Sequence, residues 1–83
     1  MDKKLAKRIS EIMQDITGQL DISIRLVMDN TDNAQDFQKY RRLVGKLMGE
    51  IFAEILQPIY DQYPDLTPAG LRKEDTLANK DKN

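Results

Sequence analysis

Apolar residues recur along the first third of the chain at Leu5, Ile9, Ile12, Ile16, Leu20, Ile24 and Val27, in steps of 4, 3, 4, 4, 4 and 3 residues. That is the spacing of one face of an α-helix, whereas a half-buried strand would alternate every second residue. At about 100° per residue these positions span an arc of roughly 120°. Met13 joins the arc and Ala6 sits at its edge, while Lys3, Lys7, Gln14 and Asp21 face away. The pattern predicts helix one over about 3–29, with a single stripe turned toward a single core. Ile22 and Leu26 project well off the stripe after Gly18. A bend or restart near Thr17-Gly18 is therefore expected, because glycine inside a helix costs about 1 kcal/mol relative to alanine. An apolar pair one turn apart on an otherwise polar face also marks a second contact surface.

The run Asp29-Asn30-Thr31-Asp32-Asn33 is rich in turn and N-cap residues and ends the first helix. Asp32, followed three residues later by Gln35, fits a capping-box variant, and Asp36 adds negative charge to the next first turn. A short polar connection between two long amphipathic segments predicts an antiparallel helical hairpin.

Helix two is expected over about 33–63 and carries Phe37, Tyr40, Val44, Leu47, Met48, Ile51, Phe52, Ile55, Leu56, Ile59 and Tyr60. Projected as one uninterrupted α-helix, these residues cover well over half the circumference. Asp36, Lys39, Lys46, Glu50, Glu54 and Asp61 fill the narrow remainder, with Leu43 among them and Arg41 on the apolar side. So wide an apolar arc asks for more than one neighbour, and a hairpin supplies one. A second copy of the chain is the expected source of the other, giving a homodimeric four-helix bundle. Gly45, Gly49 and Ala53 form a small-xxx-small row that favours close helix crossing, either within the hairpin or between copies. The predicted dimer interface is Val44, Gly45, Met48, Gly49, Phe52, Ala53 and Leu56, and leucine at Gly45 or Gly49 is expected to disrupt it.

Pro58 lacks an amide proton and crowds the carbonyl of Glu54, so helix two is expected to kink or restart there. Pro64 ends it near Tyr63. Thr67-Pro68 reads as an N-cap and first helical position, predicting a short helical turn at 68–72 with Leu66 and Leu71 docked back on the bundle. The fold class is thus all-α, with a hairpin domain over 1–72 and a polar tail over 73–83 expected to remain solvated.

Composition narrows the chemistry. The 83 residues include no cysteine, histidine or tryptophan, which removes disulfides, thiol nucleophiles, His-containing triads and the usual zinc and di-iron ligand sets. Lys+Arg number 13 against 14 Asp+Glu, and no segment is distinctly basic, which argues against a nucleic-acid binder. Without an apolar run of membrane length, a signal segment or a cysteine, the expected location is cytoplasmic with no membrane partner. Glu50 and Glu54 stand one turn apart but in the polar sector, where water solvates them. The loop aspartates are explained by capping. Tyr40, Tyr60 and Tyr63, with Arg41 and Arg42, are amphipathic residues at the edge of a core. No catalytic residue, cofactor or metal site is assigned.

Two function classes remain. The first is a non-enzymatic protein–protein interaction module, adaptor or chaperone-like, that pairs with itself and offers Ile22, Leu26, Tyr60, Tyr63 and Leu66 to another protein. The alternative is a nucleic-acid-associated or antitoxin-like regulator using Lys3, Lys4, Lys7 and Arg8, a basic group that a dimer would duplicate.

Overall fold

The computed structural model describes residues 1–69; the turn expected at 68–72, Leu71 and the tail over 73–83 lie wholly or partly outside them. The described chain is a helical hairpin without strands. Helix α1 spans Lys3–Asn30 and α2 spans Ala34–Glu50; a π-helical segment, Ile51–Leu56, leads into α3, Gln57–Gln62. A single 3₁₀ turn, Pro64–Leu66, follows.

Both ends of α1 and the start of α2 have partners for some of their orphan groups. Asp2 caps α1, its carboxylate accepting from the Leu5 N–H at 2.8 Å. The Thr31 N–H donates to the Val27 carbonyl at 3.0 Å and closes the last turn. Asn33, not Asp32, caps α2: its Oδ1 accepts from the N–H groups of Gln35 and Asp36 at 2.9 and 3.1 Å. The connection is correspondingly shorter than the five-residue run suggests.

The bend expected at Thr17-Gly18 is not found, since α1 is one continuous helix. Thr17 Oγ1 donates to the Gln14 carbonyl at 3.0 Å, and open space surrounds the position where Gly18 would carry a Cβ. The glycine costs conformational entropy without breaking the backbone hydrogen-bond ladder.

Pro58 has its effect upstream. With no proline N–H to meet the Glu54 carbonyl, the preceding turn widens, and the Gln57 N–H reaches Phe52 O, five residues back. This shift in phase decides the core. In an unbroken α-helix, Leu56 and Tyr60 would lie roughly 100° and 140° from the side shared by Phe37, Val44 and Met48. The extra residue taken up by the wide turn brings them round, and both are buried. The wide apolar arc of helix two is thus partly a product of projecting it as one ideal helix.

The core is small. Ala6, Leu56, Ile59 and Tyr60 form its buried cluster, bordered by Ile9, Met13, Ile51, Ile55, Tyr63 and Leu66. Val44 is buried between α1 and α2. Ala6 and Ser10, one turn apart, are both buried, and the Ser10 hydroxyl donates to the Lys7 carbonyl at 2.8 Å. Ala6 packs with Leu56, Ile59 and Tyr60, and the backbone of α1 approaches the Ile51–Leu56 segment more closely than α3.

Long-range polar contacts fix the register. Tyr40 Oη donates to Ser23 Oγ at 2.8 Å near the loop, and Tyr63 Oη donates to the Met1 carbonyl at 2.9 Å near the open end. Between them, Gln14 Nε2 donates to Tyr60 Oη at 3.1 Å, and Lys3 pairs with Asp65. Counting outward from the Ser23–Tyr40 bond, Ile16 lies level with Leu47, and Arg8 lies level with the stretch around Glu54 and Ile55.

Candidate interaction surface

The register divides the sequence-level stripe of α1 in two. Ile9, Met13, Leu20, Ile24 and Val27 are half-buried against α2 and α3. Leu5 and Ile16, from the same stripe, stay 50% and 40% exposed. The stripe is expected to face one core, and Ile9 and Met13 do border it beside buried Ala6, whereas Leu5 and Ile16 are not part of it.

Helix α2 has a matching outer row. Leu43 and Leu47 are 55% and 51% exposed, although one sat among the charges and the other within the apolar arc of the projection. In an antiparallel hairpin whose α1 packs through Ala6, Met13 and Ile24, and whose α2 packs through Val44 and Ile51, these two rows rise on the same flank. Ile16 and Leu47 are neighbours there, with half-buried Ile12 beside them. Ile22 and Leu26, 48% and 58% exposed, project off this row on the outer side of α1 toward the loop. Leu5, Ile16, Leu43 and Leu47 together present on the order of 350 Å² of apolar area, within the range for the largest patch on a typical monomer.

The residues singled out from sequence are distributed across the fold. Val44 and Leu56 are consumed by the hairpin's own packing, and Met48 is half-buried. Gly45, Gly49 and Ala53 are exposed on the flank opposite Leu43 and Leu47, and a Cβ added at either glycine would meet nothing within 4 Å. Among the described residues, no close crossing uses this row. Phe52 is 38% exposed, its ring centroid 6.3 Å from that of Tyr60. Tyr60 lies in the core, and Tyr63 and Leu66 pack against it, so these three do not join Ile22 and Leu26 in an open surface.

The glycine row yields a direct prediction. Gly45→Ala and Gly49→Ala each remove backbone freedom from the unfolded chain and meet no obstacle in the folded one. Each is expected to stabilise the protein by about 0.5–1 kcal/mol. Thermal melts of the two single variants and the pair check this. A lowered midpoint at unchanged protein concentration would mean that another helix lies against the row.

Among the described residues, no three acidic groups converge as a metal site, and no buried side-chain polar atom lacks a hydrogen-bond partner. The three tyrosine hydroxyls are engaged in the structural bonds to Ser23, Gln14 and Met1. Lys3, Lys4, Lys7 and Arg8 are exposed; Lys3 pairs with Asp65, and Arg8 stands 3.8 Å from Glu11. No described helix is long and apolar enough to cross a membrane. A shallow groove at Ala34, Gln35, Gln38, Lys39 and Arg42 is formed by the outer side of α2.

What sequence reasoning missed was the pairing of Leu43 and Leu47 with Leu5, Ile12 and Ile16. The signal was present in Leu43, an apolar residue four positions before Leu47 that the charged sector did not explain. Comparison with protein-family models, curated proteins and solved structures found no match to this chain.

Proposed function

We propose that this protein is a non-enzymatic interaction module that assembles as a homodimeric four-helix bundle and acts as an adaptor or chaperone-like binding protein. The observation that supports the reading is the exposure of Leu5, Ile16, Leu43 and Leu47 on one flank, with Ile22 and Leu26 exposed on the outer side of α1. Only five apolar residues are buried within the described hairpin. A domain of this size without disulfides or a metal gains stability from association when its own core is small. Burying the flank against an equivalent flank removes water from both at about 25 cal/mol per Å². Ile22 and Leu26, at the loop end, are the part of the surface best placed to reach a further protein.

Sedimentation equilibrium of the full chain, combined with thermal melts across a range of concentrations, tests the reading. A dimer is expected at micromolar concentration, with a melting midpoint that rises as protein is added, because association draws on the folded state. A folded 9.6 kDa monomer with a concentration-independent midpoint would overturn it.

A further inference from the structure

The end of the second arm carries two apolar stripes about 100° apart, and the width of one turn decides which of them meets α1. Continued as a regular α-helix from Val44 and Met48, the arm would place Ile55 and Gln62 within about 20° of their side, and Ile51 and Ile59 within about 40°. The extra residue taken up in Ile51–Leu56 turns everything beyond it by about 100° and brings Leu56, Tyr60 and Tyr63 within about 40° of that side instead. The described fold uses the second stripe. Leu56, Ile59 and Tyr60 are buried and Tyr63 packs against them, while Gln62 is exposed. Ile59 is common to both.

Two polar contacts belong to the wide form. Gln14 Nε2 donates to Tyr60 Oη at 3.1 Å, and Tyr63 Oη donates to the Met1 carbonyl at 2.9 Å. In a regular helix Tyr60 and Tyr63 would stand about 140° and 80° from the packed side, out of reach of both partners. Pro58 acts against the regular form from within the backbone. There its ring would press on the Glu54 carbonyl and leave that carbonyl without a donor. With the turn wide, the Gln57 N–H donates to the Phe52 carbonyl five residues back, and Pro58 falls in the first turn of α3, where a missing N–H is tolerated.

We infer that the wide turn and Pro58 form a phase lock on the second arm. The turn supplies the rotation that seats Leu56, Tyr60 and Tyr63 on α1, and the proline bars the regular helix that would seat Ile55 and Gln62 there. The two forms differ by one residue of register, so closing a single turn interconverts them while α1 and most of α2 keep their helical bonds. In the closed form both tyrosines leave the cluster around Ala6, and the start of α1 loses its bond to Tyr63. The lock belongs to the single chain and does not depend on how copies assemble.

Variants of the full chain, isotope-labelled and compared by NMR and thermal melts at one concentration, test the lock. Pro58→Ala is expected to populate a second form to about 1–10%, read as exchange broadening at Ala6, Tyr60 and Tyr63 that the parent lacks. Broadening absent from the variant, or equal in the parent, would overturn the lock. Deleting Glu54, which is exposed, leaves Phe52 four residues before Gln57, so a regular turn then gives the same partner and the same phase. Combined with Pro58→Ala, this deletion is expected to keep the scalar coupling across the Gln57–Phe52 hydrogen bond and the contact of the Tyr60 ring with the Ala6 methyl. Loss of both, whether or not helix survives, would mean that the extra residue does not set the phase. With Pro58 retained, the same deletion presses its ring on the Ala53 carbonyl, and the midpoint is expected to fall about 10 °C below that of the combined variant. Equal midpoints would remove the part assigned to the proline and overturn the lock.

Discussion

Leu43→Glu and Leu47→Glu, introduced together, are expected to leave the chain monomeric at micromolar concentration. Both side chains stand more than half exposed on α2, outside the buried cluster of Ala6, Leu56, Ile59 and Tyr60. Full burial of a leucine is worth about 2 kcal/mol, and each of these has about half of its surface left to bury. Four such half-burials in a dimer come to on the order of 4 kcal/mol, roughly a thousandfold in the dissociation constant. The glutamates would add the cost of desolvating carboxylates. Sedimentation equilibrium reads the dissociation constant, and far-UV circular dichroism reports whether helix survives in the monomer. A variant that assembles as tightly as the parent would place the interface elsewhere. The opposite flank with Gly45 and Gly49 would then be the next surface to probe.

The second large effect belongs to the core. Leu56→Ala is expected to destabilise the protein by about 2–5 kcal/mol, because it removes a buried side chain where the wide turn brings the last helix against α1. For a domain of this length, even the lower bound lowers the melting midpoint by about 10 °C. Leu26→Ala, at 58% exposure near the loop, is the internal comparison, with an expected loss below about 1 kcal/mol. Thermal melts of both variants at one fixed concentration decide the order. A greater loss at Leu26 would mean that the stabilising packing centres on the loop end rather than on the Ala6 cluster.

These two experiments examine features that differ in how directly the residue pattern reveals them. The helix limits follow from local chemistry: a three-to-four-residue apolar repeat, a polar loop beginning at Asp29, and proline at two points near the end. The observed α1 and the combined α2–α3 arm match those limits closely. Capping was harder to place, because Asp32 and Asn33 are both good caps and only the path of the chain selects Asn33. The intended contact of each apolar residue was harder still. Leu5 and Ile16 have the same repeat as Ile9 and Met13, yet the first pair stays open while the second lies beside the core.

Periodicity identifies the apolar side of a helix but not the direction from which its neighbour arrives. For α1 that direction is marked by Ala6, packed with Leu56, Ile59 and Tyr60, a residue whose small size makes it inconspicuous in a hydrophobic pattern. For the second arm it depends on the wide turn before Pro58, which rotates Leu56 and Tyr60 by taking up a residue that an ideal projection counts at its usual angle. The chain's residues alone therefore establish an all-helical hairpin with more apolar surface than two packed arms require. Which part of that surface is left open depends on the phase of the two arms against each other. Long-range contacts such as Tyr40 to Ser23 and Tyr60 to Gln14 fix that phase, and local sequence spacing does not encode it.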